Sequence, residues 1–419
     1  METITDTFYN KTPLTLNTIQ GIDLLDVCKE FGTPLYVYDA DKIVQQINML
    51  RNLFSRTPLQ IKYAAKSLTN LSVLKLVKAQ GIGLDVVSIE EAHLGIKAGF
   101  APQEISYTPN CVSFEEIQEA VELGVAINID NLPMLEQFGK TYGNTVSCCV
   151  RINPNIMAGG NTKISVGHSY SKFGISALQV RELVEIVEKN DIDISGVHVH
   201  TGSDILDVDV FLMSAEVVFE VARHFSNLRF IDFGSGFKIN YHQEDKSTNL
   251  QELANRLQDK FLEFCEDYGK PLEMWLEPGK ILVSEAGQFL AKVNVVKENP
   301  AVTFVGVDSG FNHLIRPMFY DAYQHIENIS NPDGPKKKYH VVGYICETDT
   351  FGSDRELNEV RPGDILSIKN AGAYGFSMAS NYNSRRRPAE VMIYQGKAHL
   401  IRQRETLDDL LKNQIIIDI

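Results

Sequence analysis

The feature that most constrains the fold of this chain is a regular alternation of short apolar segments with amphipathic ones between about residues 60 and 290. The amphipathic stretches, such as SFEEIQEAVELG, place apolar residues three and four positions apart, as one face of a helix requires, and several end at glycine. The apolar segments have the length and composition of buried strands, and there are eight: QIKYAAK, GLDVVS, ISYTP, AINID, SCCVRINP, GVHVHTGS, RFIDFGSG and MWLEPG. Eight strands alternating with helices predict a (β/α)8 barrel of the TIM type.

An open, doubly wound α/β sheet is the alternative fold for this part of the chain. It would contain fewer strands and a glycine-rich dinucleotide-binding turn after the first strand. Neither feature is evident in the sequence, so the barrel is preferred.

Beyond about residue 290 the pattern changes to strand-like segments separated by turns, with little that resembles a long helix. These segments are AKVNVVKEN, TFVGVDSG, KKYHVVGYIC, DILSIKNAGAY and AEVMIYQGKAHLI. Such a series is typical of an antiparallel β domain. We therefore expect an α/β protein in which the barrel occupies residues 36–285 and the β domain is formed by residues 1–35 together with 286–419.

The charge and composition of the chain argue against several classes of partner. The formal net charge is −14, from 40 basic and 54 acidic residues, which disfavours binding to nucleic acid or to an anionic membrane. The N-terminus METITDTFYNK lacks the features of a signal peptide, and no uncharged apolar run approaches the length of a membrane span. The six cysteines have neither CxxC pairs nor the spacing of a metal site, so we expect a cytoplasmic protein without a metal.

Polar residues collect at the ends of the predicted barrel strands, where the catalytic groups of such barrels lie. From the first strand to the eighth, they are Lys66, Asp85, Arg151, Asn153, His198, His200, the turn Gly234–Ser235–Gly236, and Glu277. Any one of them is better explained alone as a structural residue; a lysine at a strand end, for example, commonly extends its ammonium group into water. Together they predict one polar site at the rim of the barrel.

These residue types suit the chemistry of an aldehyde cofactor, pyridoxal 5′-phosphate. A lysine such as Lys66 forms a Schiff base with the aldehyde, and a carboxylate such as Glu277 keeps the pyridine nitrogen protonated. Backbone N–H groups of the turn at residues 234–236 can bind the phosphate, and His200 can stack on the ring. The sequence therefore contains a candidate for each role, although a lone GSG turn is a weak signal.

Six segments resemble, in order, the motifs of the fold-type III (alanine racemase-like) pyridoxal-phosphate decarboxylases, and most closely those of the diaminopimelate decarboxylase family. They are YAAKS, HVHTGSD, FGSGF, EPGK, YICETDTF and GAYGFSMASNYNSRRRPAEV. The resemblance extends from about Thr33 to the last predicted strands. It implies the conversion of meso-2,6-diaminopimelate to L-lysine and CO2, the last step of lysine biosynthesis, with pyridoxal phosphate as cofactor.

The resemblance implies which residues bind the cofactor. Lys66 would carry it as a Schiff base, His200 would lie against its ring, and Glu277 would bind its pyridinium nitrogen. Asp85 and Arg151 would form a supporting pair beneath the ring. The remaining cofactor-binding residues, several of them around the phosphate, would be Ser203, Gly234, Ser235, Gly236, Gly279, Lys280 and Tyr374.

The resemblance also implies which residues act on the substrate. Cys346 would be the acid that returns a proton to the substrate carbon after CO2 leaves, and Glu347 would bind a substrate ammonium group. Other substrate contacts would come from Lys280, Arg316, Tyr320 and Tyr374. In the resembling family the cysteine reaches the cofactor of the neighbouring subunit, which implies a homodimer with two shared sites.

Two positions depart from the family pattern. The phosphate turn is GSG where most members have three glycines, and a central serine fits if its φ is negative or its hydroxyl helps to bind the phosphate. Lys280 stands where the family has arginine, and a lysine is a point charge without the paired hydrogen bonds of a guanidinium. The partner of Lys280 could be the substrate carboxylate or the cofactor phosphate.

Related activities are the functional alternatives. Ornithine and arginine have no distal carboxylate, so a buried Arg316 would suit them poorly, whereas carboxynorspermidine does carry one. A racemase would use a second acid–base group, commonly a tyrosine. A non-catalytic, regulatory pyridoxal-phosphate-binding protein of this fold would be expected to lack Lys66, Cys346 or the β domain, and all three are present.

A long connection, NIMAGGNTKISVGHSYSKFG, follows the fifth predicted strand at residues 155–174. Its glycines and polar residues indicate a mobile loop over the site, and an ordered loop packed on the rim is the alternative. His168 in this loop is more simply explained as an exposed residue than as a catalytic one.

Overall fold

The structure is a computed structural model that describes residues 17–157, 167, 168, 170–242 and 244–419. Residues 158–166 and 169 of the loop expected at residues 155–174 lie outside these ranges. Among the described helices, none is both long and apolar enough to span a bilayer.

The described residues form twenty β-strands and twelve α-helices. The strands are β1 (Thr18–Ile19), β2 (Ile22–Asp23), β3 (Leu35–Asp39), β4 (Leu59–Ala64), β5 (Gly83–Val86), β6 (Ile105–Tyr107), β7 (Ala126–Ile129), β8 (Cys148–Asn153), β9 (Ile175–Ser176), β10 (Ile194–Val199), β11 (Phe230–Asp232), β12 (Glu273–Leu276), β13 (Gly287–Glu298), β14 (Thr303–Val307), β15 (Ile326–Asn328), β16 (Lys336–Val342), β17 (Thr350–Asn358), β18 (Ile365–Ile368), β19 (Ala389–Tyr394) and β20 (Lys397–Arg402). The helices are α1 (Leu24–Phe31), α2 (Ala40–Leu53), α3 (Leu71–Ala79), α4 (Ile89–Ala98), α5 (Phe114–Leu123), α6 (Leu132–Tyr142), α7 (Val180–Lys189), α8 (Val208–Ala222), α9 (Leu250–Tyr268), α10 (Lys280–Val283), α11 (Arg316–Tyr320) and α12 (Leu407–Leu411).

The chain forms two compact units. The barrel unit comprises Ala40–Ala286 and Gly372–Ser377, and the β unit comprises the described residues through Asp39, Gly287–Ala371 and Met378–Ile419. The expected division at residues 36 and 285 differs from these units in two places. Strand β3 pairs with strands of the β unit and belongs to it, and Gly372–Ser377, expected in the β domain, belongs to the barrel unit.

Eight parallel strands of the barrel unit form a closed ring, as the sequence predicts. Strands β4 to β8 pair in chain order, β8 pairs with β10, and β12 pairs back with β4. Strand β9 is a two-residue addition beside β8. Helices α3 to α10 follow the barrel strands, so the (β/α)8 prediction is confirmed. Because all eight strands run in one direction, their carboxyl ends meet at one rim.

Capping residues determine where the helices around the barrel begin and end. The Ser88 side chain accepts a hydrogen bond from the Glu91 N–H at the start of α4, and Gly99 ends this helix in the left-handed conformation. Ser113 and Gly124 do the same for α5. These residues satisfy backbone groups that the ends of a helix leave unpaired, which keeps the connections between helices and strands short.

The β unit is built on a sheet with the strand order β17-β16-β14-β13-β3-β19-β20, and β18 joins β15 to β13. Most neighbours are antiparallel, which confirms the predicted β domain, but β14 with β16 and β3 with β19 are parallel. In the second parallel pair, β3 lies between β13 and β19 and runs antiparallel to β13 but parallel to β19.

A hydrophobic core joins helix α1 to this sheet. Leu24 and Val27 of α1 pack in one cluster with Leu35 of β3, Leu290 of β13 and Val391 of β19, and all five are at most 2% exposed. Burying each such side chain contributes about 1.5–3 kcal/mol. The cluster therefore ties an N-terminal helix and strand to strands that lie more than two hundred residues later.

Candidate active site

Lys66 lies on a 3₁₀ turn, Ala65–Ser67, that directly follows β4 at the carboxyl rim of the barrel. The Ser67 hydroxyl donates to the carbonyl of Ala64 at 2.7 Å, and the Ser67 carbonyl accepts the N–H of Tyr374 at 2.9 Å. These bonds fix the backbone on which the lysine stands. The Lys66 Nζ is 3.4 Å from the Oδ2 of Asp85, a carboxylate on β5.

The charges around Lys66 set its protonation in the cofactor-free site. Burial lowers the pKa of Lys66, but the Asp85 carboxylate, with Tyr374 and Glu277, outweighs burial and raises this pKa above its ordinary value. Burial and the charge of Glu277 raise the pKa of Asp85 to about 7 although Lys66 opposes them. The protonation states of Lys66, Asp85 and Glu277 therefore depend on one another.

Glu277, directly after β12, is held by a buried histidine. The Oε2 of Glu277 is 3.0 Å from the Nε2 of His198, and His198 has no exposed surface. Burial lowers the pKa of His198, which favours a neutral ring. The proton of this ring lies on Nε2, where the Glu277 carboxylate accepts it. Burial alone would raise the pKa of Glu277, but His198 and Lys66 outweigh it and keep the carboxylate ionised.

Arg151 and His200 complete the group of titratable side chains at this rim. Burial lowers the pKa of Arg151, which nearby carboxylates, Glu277 first, counteract, and its guanidinium lies 4.7 Å from the Phe173 ring centre. Burial and the positive charges of Arg151 and Lys66 hold the pKa of His200 well below its ordinary range. His200 therefore offers a neutral ring, and its Nδ1 accepts the Ser235 N–H at 3.4 Å.

The turn Gly234–Ser235–Gly236 follows β11 and has a backbone that only glycine accepts at its two ends. Gly234 has φ = 61° and Gly236 has φ = 108°. A Cβ atom on Gly234 would lie 2.5 Å from the Val199 carbonyl oxygen, and one on Gly236 would lie 2.2 Å from the Gly202 carbonyl oxygen. Ser235 has no positive φ, so a serine fits in the middle of the turn.

Lys280 has a protein partner that the sequence analysis missed. Its Nζ lies 2.9 Å from both carboxylate oxygens of Asp204, and the lysine side chain is only 8% exposed. Asp204 follows Ser203 in the HTGSD segment, a motif whose last residue received no role. Gly279 precedes Lys280 at the start of α10, and a Cβ there would lie 3.2 Å from the Ser67 Oγ.

A small cavity inside the barrel is a second feature without a sequence signal. It has a volume of about 10 Å³ and borders Glu277 and Asp232. The Oγ of Ser106 and the Oδ1 of Asn128 line it and have no hydrogen-bond partner among the described residues. A cavity of this size, bordered by these two oxygens, suits one buried water molecule.

The predicted substrate residues other than Lys280 and Tyr374 lie in the β unit. Arg316 begins α11, is 7% exposed, and places its guanidinium carbon 5.6 Å from the ring centre of Tyr320. Cys346 and Glu347 are exposed on the connection between β16 and β17.

Two residues that received no role in the sequence analysis hold Cys346 and Glu347. The amide Nδ2 of Asn383 donates to the Cys346 Sγ at 3.3 Å, and the Tyr382 hydroxyl donates to the Glu347 Oε1. The bond to Glu347 raises the pKa of Tyr382 to about 12. Both residues belong to the NYN segment of a motif that the sequence analysis quoted for its family resemblance.

The structure thus brings one group of predicted residues together in the barrel unit and another in the β unit. The barrel group is Lys66, Asp85, Arg151, His200, Ser203, Gly234, Ser235, Gly236, Glu277, Gly279, Lys280 and Tyr374. The β-unit group is Arg316, Tyr320, Cys346 and Glu347.

The barrel group fits pyridoxal phosphate. The Oε1 of ionised, buried Glu277 has no hydrogen-bond partner among the described residues, as an acceptor for a pyridinium N–H should. The glycine turn leaves no room for side chains where backbone N–H groups can approach a phosphate closely. Lys66 supplies an amine for the aldehyde carbon.

Comparisons with known proteins point to the same cofactor. Residues 40–284 match the family described as Pyridoxal-dependent decarboxylase, pyridoxal binding domain. The chain is 38% identical over 407 residues to the diaminopimelate decarboxylase of Methanothermobacter thermautotrophicus, with 94% of this chain and 95% of that protein covered.

Two solved structures extend this similarity to the fold. One is diaminopimelate decarboxylase from Helicobacter pylori complexed with L-lysine, with a TM-score of 0.85, 33% identity, and 93% of this chain and 98% of that chain covered. The other is the M. jannaschii enzyme, also with L-lysine, with a TM-score of 0.88, 32% identity and 96% of each chain covered. Because sequence and fold agree over nearly the full length, this chain belongs to the diaminopimelate decarboxylase family of pyridoxal-dependent decarboxylases, and its cofactor is pyridoxal phosphate.

Proposed function

We propose that this protein decarboxylates meso-2,6-diaminopimelate to L-lysine and CO2, the last step of lysine biosynthesis. The observation that carries this proposal is identity to diaminopimelate decarboxylases that spans nearly the whole chain. Two structures of such enzymes hold L-lysine, the product of this reaction.

The barrel residues hold the cofactor in this proposal. When bound, pyridoxal phosphate supplies an electron-accepting ring that stabilises the carbanion formed as CO2 leaves. Lys66 would bind the aldehyde carbon, the turn at residues 234–236 with Ser203 would bind the phosphate, and His200 would pack against the ring. Glu277, kept ionised by His198 and Lys66, would keep the ring nitrogen protonated.

The β-unit residues act on the substrate. The Cys346 thiol gives its proton to the substrate carbon that has lost CO2. Glu347 and Arg316 bind the ammonium and the carboxylate at the end of diaminopimelate that does not react. A buried arginine and a carboxylate in one unit support this assignment, since only a substrate with both charges at its far end needs both partners.

The activity is tested by measuring CO2 release from diaminopimelate, ornithine, arginine and carboxynorspermidine with the purified holoenzyme. We expect release from diaminopimelate to exceed release from each of the other three by at least about tenfold in kcat/KM, the effect of about 1.4 kcal/mol. A preference for carboxynorspermidine, which also carries a carboxylate, would overturn the assigned substrate while leaving the decarboxylase chemistry in place.

A variant of Arg316 tests whether this residue binds the distal carboxylate of diaminopimelate. Arg316→Ala should lower kcat/KM for diaminopimelate about 10- to 100-fold, because a charge-assisted hydrogen bond contributes about 1.5–3 kcal/mol. Arg361→Ala is the control, since Arg361 is an exposed arginine of the same unit whose guanidinium pairs with Asp364. Equal kcat/KM values for Arg316→Ala and the parent would remove Arg316 from the substrate site.

We further propose a homodimer with two shared sites and a cytoplasmic location. Support for the dimer comes from the family resemblance, which implies that the cysteine acts at the cofactor of the neighbouring subunit. All six cysteines are free thiols, and Cys346 and Cys111 are exposed, a state that a reducing cytoplasm maintains. Size-exclusion chromatography with light scattering tests the dimer, and a monomer with full activity would contradict it.

A further inference from the structure

Two pairs of consecutive residues are bonded to each other across the β unit. Cys346 and Glu347 form the first pair, and Tyr382 and Asn383 form the second. Asn383 bonds Cys346 at 3.3 Å, and the Tyr382 hydroxyl bonds Glu347. Cys346 and Glu347, both proposed to act on the substrate, thus each have a hydrogen-bond partner on the same neighbouring segment.

The segment that carries Tyr382 and Asn383 is fixed at several points. The Ser380 N–H donates to the Asn312 carbonyl at 2.7 Å, and the Tyr382 ring lies 5.7 Å from the ring of Phe311. Asn383 has φ = 55° and Ser384 has φ = 53°. Non-glycine residues adopt this backbone conformation when the surrounding structure holds them there.

The segment that carries Cys346 and Glu347 is also fixed to residues 309–312, the turn that contains Phe311 and Asn312. The Tyr344 N–H donates to the Ser309 carbonyl at 3.0 Å. Asp349 accepts the N–H of Ile345 at 2.9 Å and the N–H of Phe311 at 2.7 Å. Because both segments are attached to one turn, the thiol and carboxylate are held against Tyr382 and Asn383 by the fold.

The Asn383 amide can serve Cys346 in both of its protonation states. Its Oδ1 lies 3.7 Å from the Sγ and can accept the S–H, and its Nδ2 lies 3.3 Å from the Sγ and can donate to a thiolate. Tyr382 has the simpler task, since a tyrosine hydroxyl donates one strong hydrogen bond to a carboxylate.

We propose that Asn383 and Tyr382 are positioning residues with separate tasks: Asn383 aims the Cys346 proton at the substrate carbon, and Tyr382 orients Glu347 toward the substrate ammonium group. This inference rests on the proposed function, in which Cys346 is the proton donor. In that step the S–H bond breaks, its electron pair stays on sulfur, and a C–H bond forms at the carbon that lost CO2. The thiolate accepts the Asn383 N–H until water returns a proton.

A poorly aimed thiol has a distinct chemical consequence. If the proton arrived at the cofactor's former aldehyde carbon instead, the nitrogen and the electron pair of the broken C–C bond would remain on the cofactor. Water would then hydrolyse the C=N bond at the substrate carbon, its oxygen becoming the carbonyl oxygen of an aldehyde product in place of lysine, and the cofactor would leave as pyridoxamine phosphate. The fraction of turnovers that end this way reports proton delivery and does not depend on the overall rate.

Asn383→Gly is the variant that tests proton delivery. Glycine accepts the positive φ, so the substitution removes the amide without straining the fold. We expect the aldehyde fraction to rise at least about tenfold, the effect of losing about 1.4 kcal/mol of discrimination, while KM changes little. Asn413→Gly is the matched control, an asparagine with φ = 71° near the C-terminus, and should keep the parental fraction.

Tyr382→Phe tests the second task. We expect KM for diaminopimelate to rise about tenfold, as a lost hydrogen bond to a charged group predicts, with the aldehyde fraction unchanged. Tyr394→Phe is the matched control, a partly exposed tyrosine of β19 whose hydroxyl accepts from Gln395. A merely structural role would not separate the two variants in this way, since it would change both quantities together.

Cys346→Ala distinguishes failure of this inference from failure of the proposed function. If Cys346→Ala raises the aldehyde fraction and Asn383→Gly does not, the positioning role of Asn383 is wrong and the proton donor stands. If Cys346→Ala keeps the parental fraction, Cys346 is not the donor and the inference fails with it. Absence of CO2 release from diaminopimelate by the parent would reject the proposed function itself.

Discussion

At the scale of single residues, the buried titratable groups at the barrel rim determine one another's protonation states. Glu277 is ionised although it is buried, because His198 donates to one of its oxygens and Lys66 is positively charged nearby. The pKa of Asp85 is instead raised, because burial and the negative charge of Glu277 outweigh the positive charge of Lys66. Two carboxyl groups in one site therefore have very different acidities.

Glu277→Gln should separate cofactor binding from turnover. The variant keeps the shape of the side chain and should still bind pyridoxal phosphate, but an uncharged amide no longer favours a protonated ring nitrogen. We expect kcat to fall by about two orders of magnitude or more, on the scale of about 3 kcal/mol, with cofactor content unchanged in absorbance titrations. Parental turnover with cofactor bound would show that Glu277 has only a structural role.

The raised pKa of Asp85 predicts a pH dependence of stability in the cofactor-free protein. Between about pH 4 and pH 7 the folded protein keeps a proton that the unfolded chain has lost, so the free energy of unfolding falls as the pH rises. Asp85→Asn should remove this part of the fall. In urea titrations we expect the variant to exceed the parent by about 1–4 kcal/mol at pH 8 and by nothing at pH 4. A gain of equal size at both pH values would contradict this origin.

At the scale of structural elements, the phosphate turn after β11 depends on its backbone more than on its side chains. Gly234 and Gly236 have positive φ, and each would bring a Cβ against a carbonyl oxygen of a neighbouring segment. The turn therefore fixes the distance between β11 and the segment that follows β10. Its geometry allows one central serine and no substitution at either end.

Gly236→Ala should weaken cofactor binding severely and destabilise the barrel by about 2 kcal/mol or more, because the new Cβ would meet the Gly202 carbonyl. Gly269→Ala is the matched control. Gly269 ends α9 with φ = 83° and has no heavy atom within 4 Å of an added Cβ, so about 1 kcal/mol is expected. Thermal unfolding and cofactor titration of both variants provide the comparison. Equal losses in the two variants would show that φ alone, and not the close approach, limits the turn.

The elements were largely predictable from the sequence, whereas several of their contacts were not. Periodicity predicts the eight barrel strands, because each strand is buried and each helix has one apolar face. The sequence predicts the segment that contains β19 but not its parallel pairing with β3, because that pairing joins residues 354 positions apart, such as Leu35 and Ala389. The Asp204–Lys280 and Asn383–Cys346 contacts were missed because they depend on side-chain directions that no local pattern encodes.

At the scale of the whole molecule, the proposed dimer makes a prediction that a self-sufficient monomer does not. Lys66→Ala and Cys346→Ala homodimers should each form almost no lysine. Mixed in equal amounts and allowed to exchange subunits, they should regain about a quarter of parental activity, from half the dimers with one intact site each. Exchange is checked by native mass spectrometry. Exchange without recovered activity would show that Cys346 serves its own chain or is not the acid.

The position of β3 in its sheet has a consequence for how the chain is synthesised. Leu35, Tyr36, Val37 and Tyr38 are wholly buried in the folded protein, yet β13, the first of the two strands that flank β3, begins only at Gly287. At about 5–20 residues per second, a ribosome needs roughly 10–50 s to add the intervening residues. During that interval the apolar residues of β3 remain exposed while the residues of the barrel are synthesised. Nascent-chain binding by chaperones should therefore concentrate on this early segment.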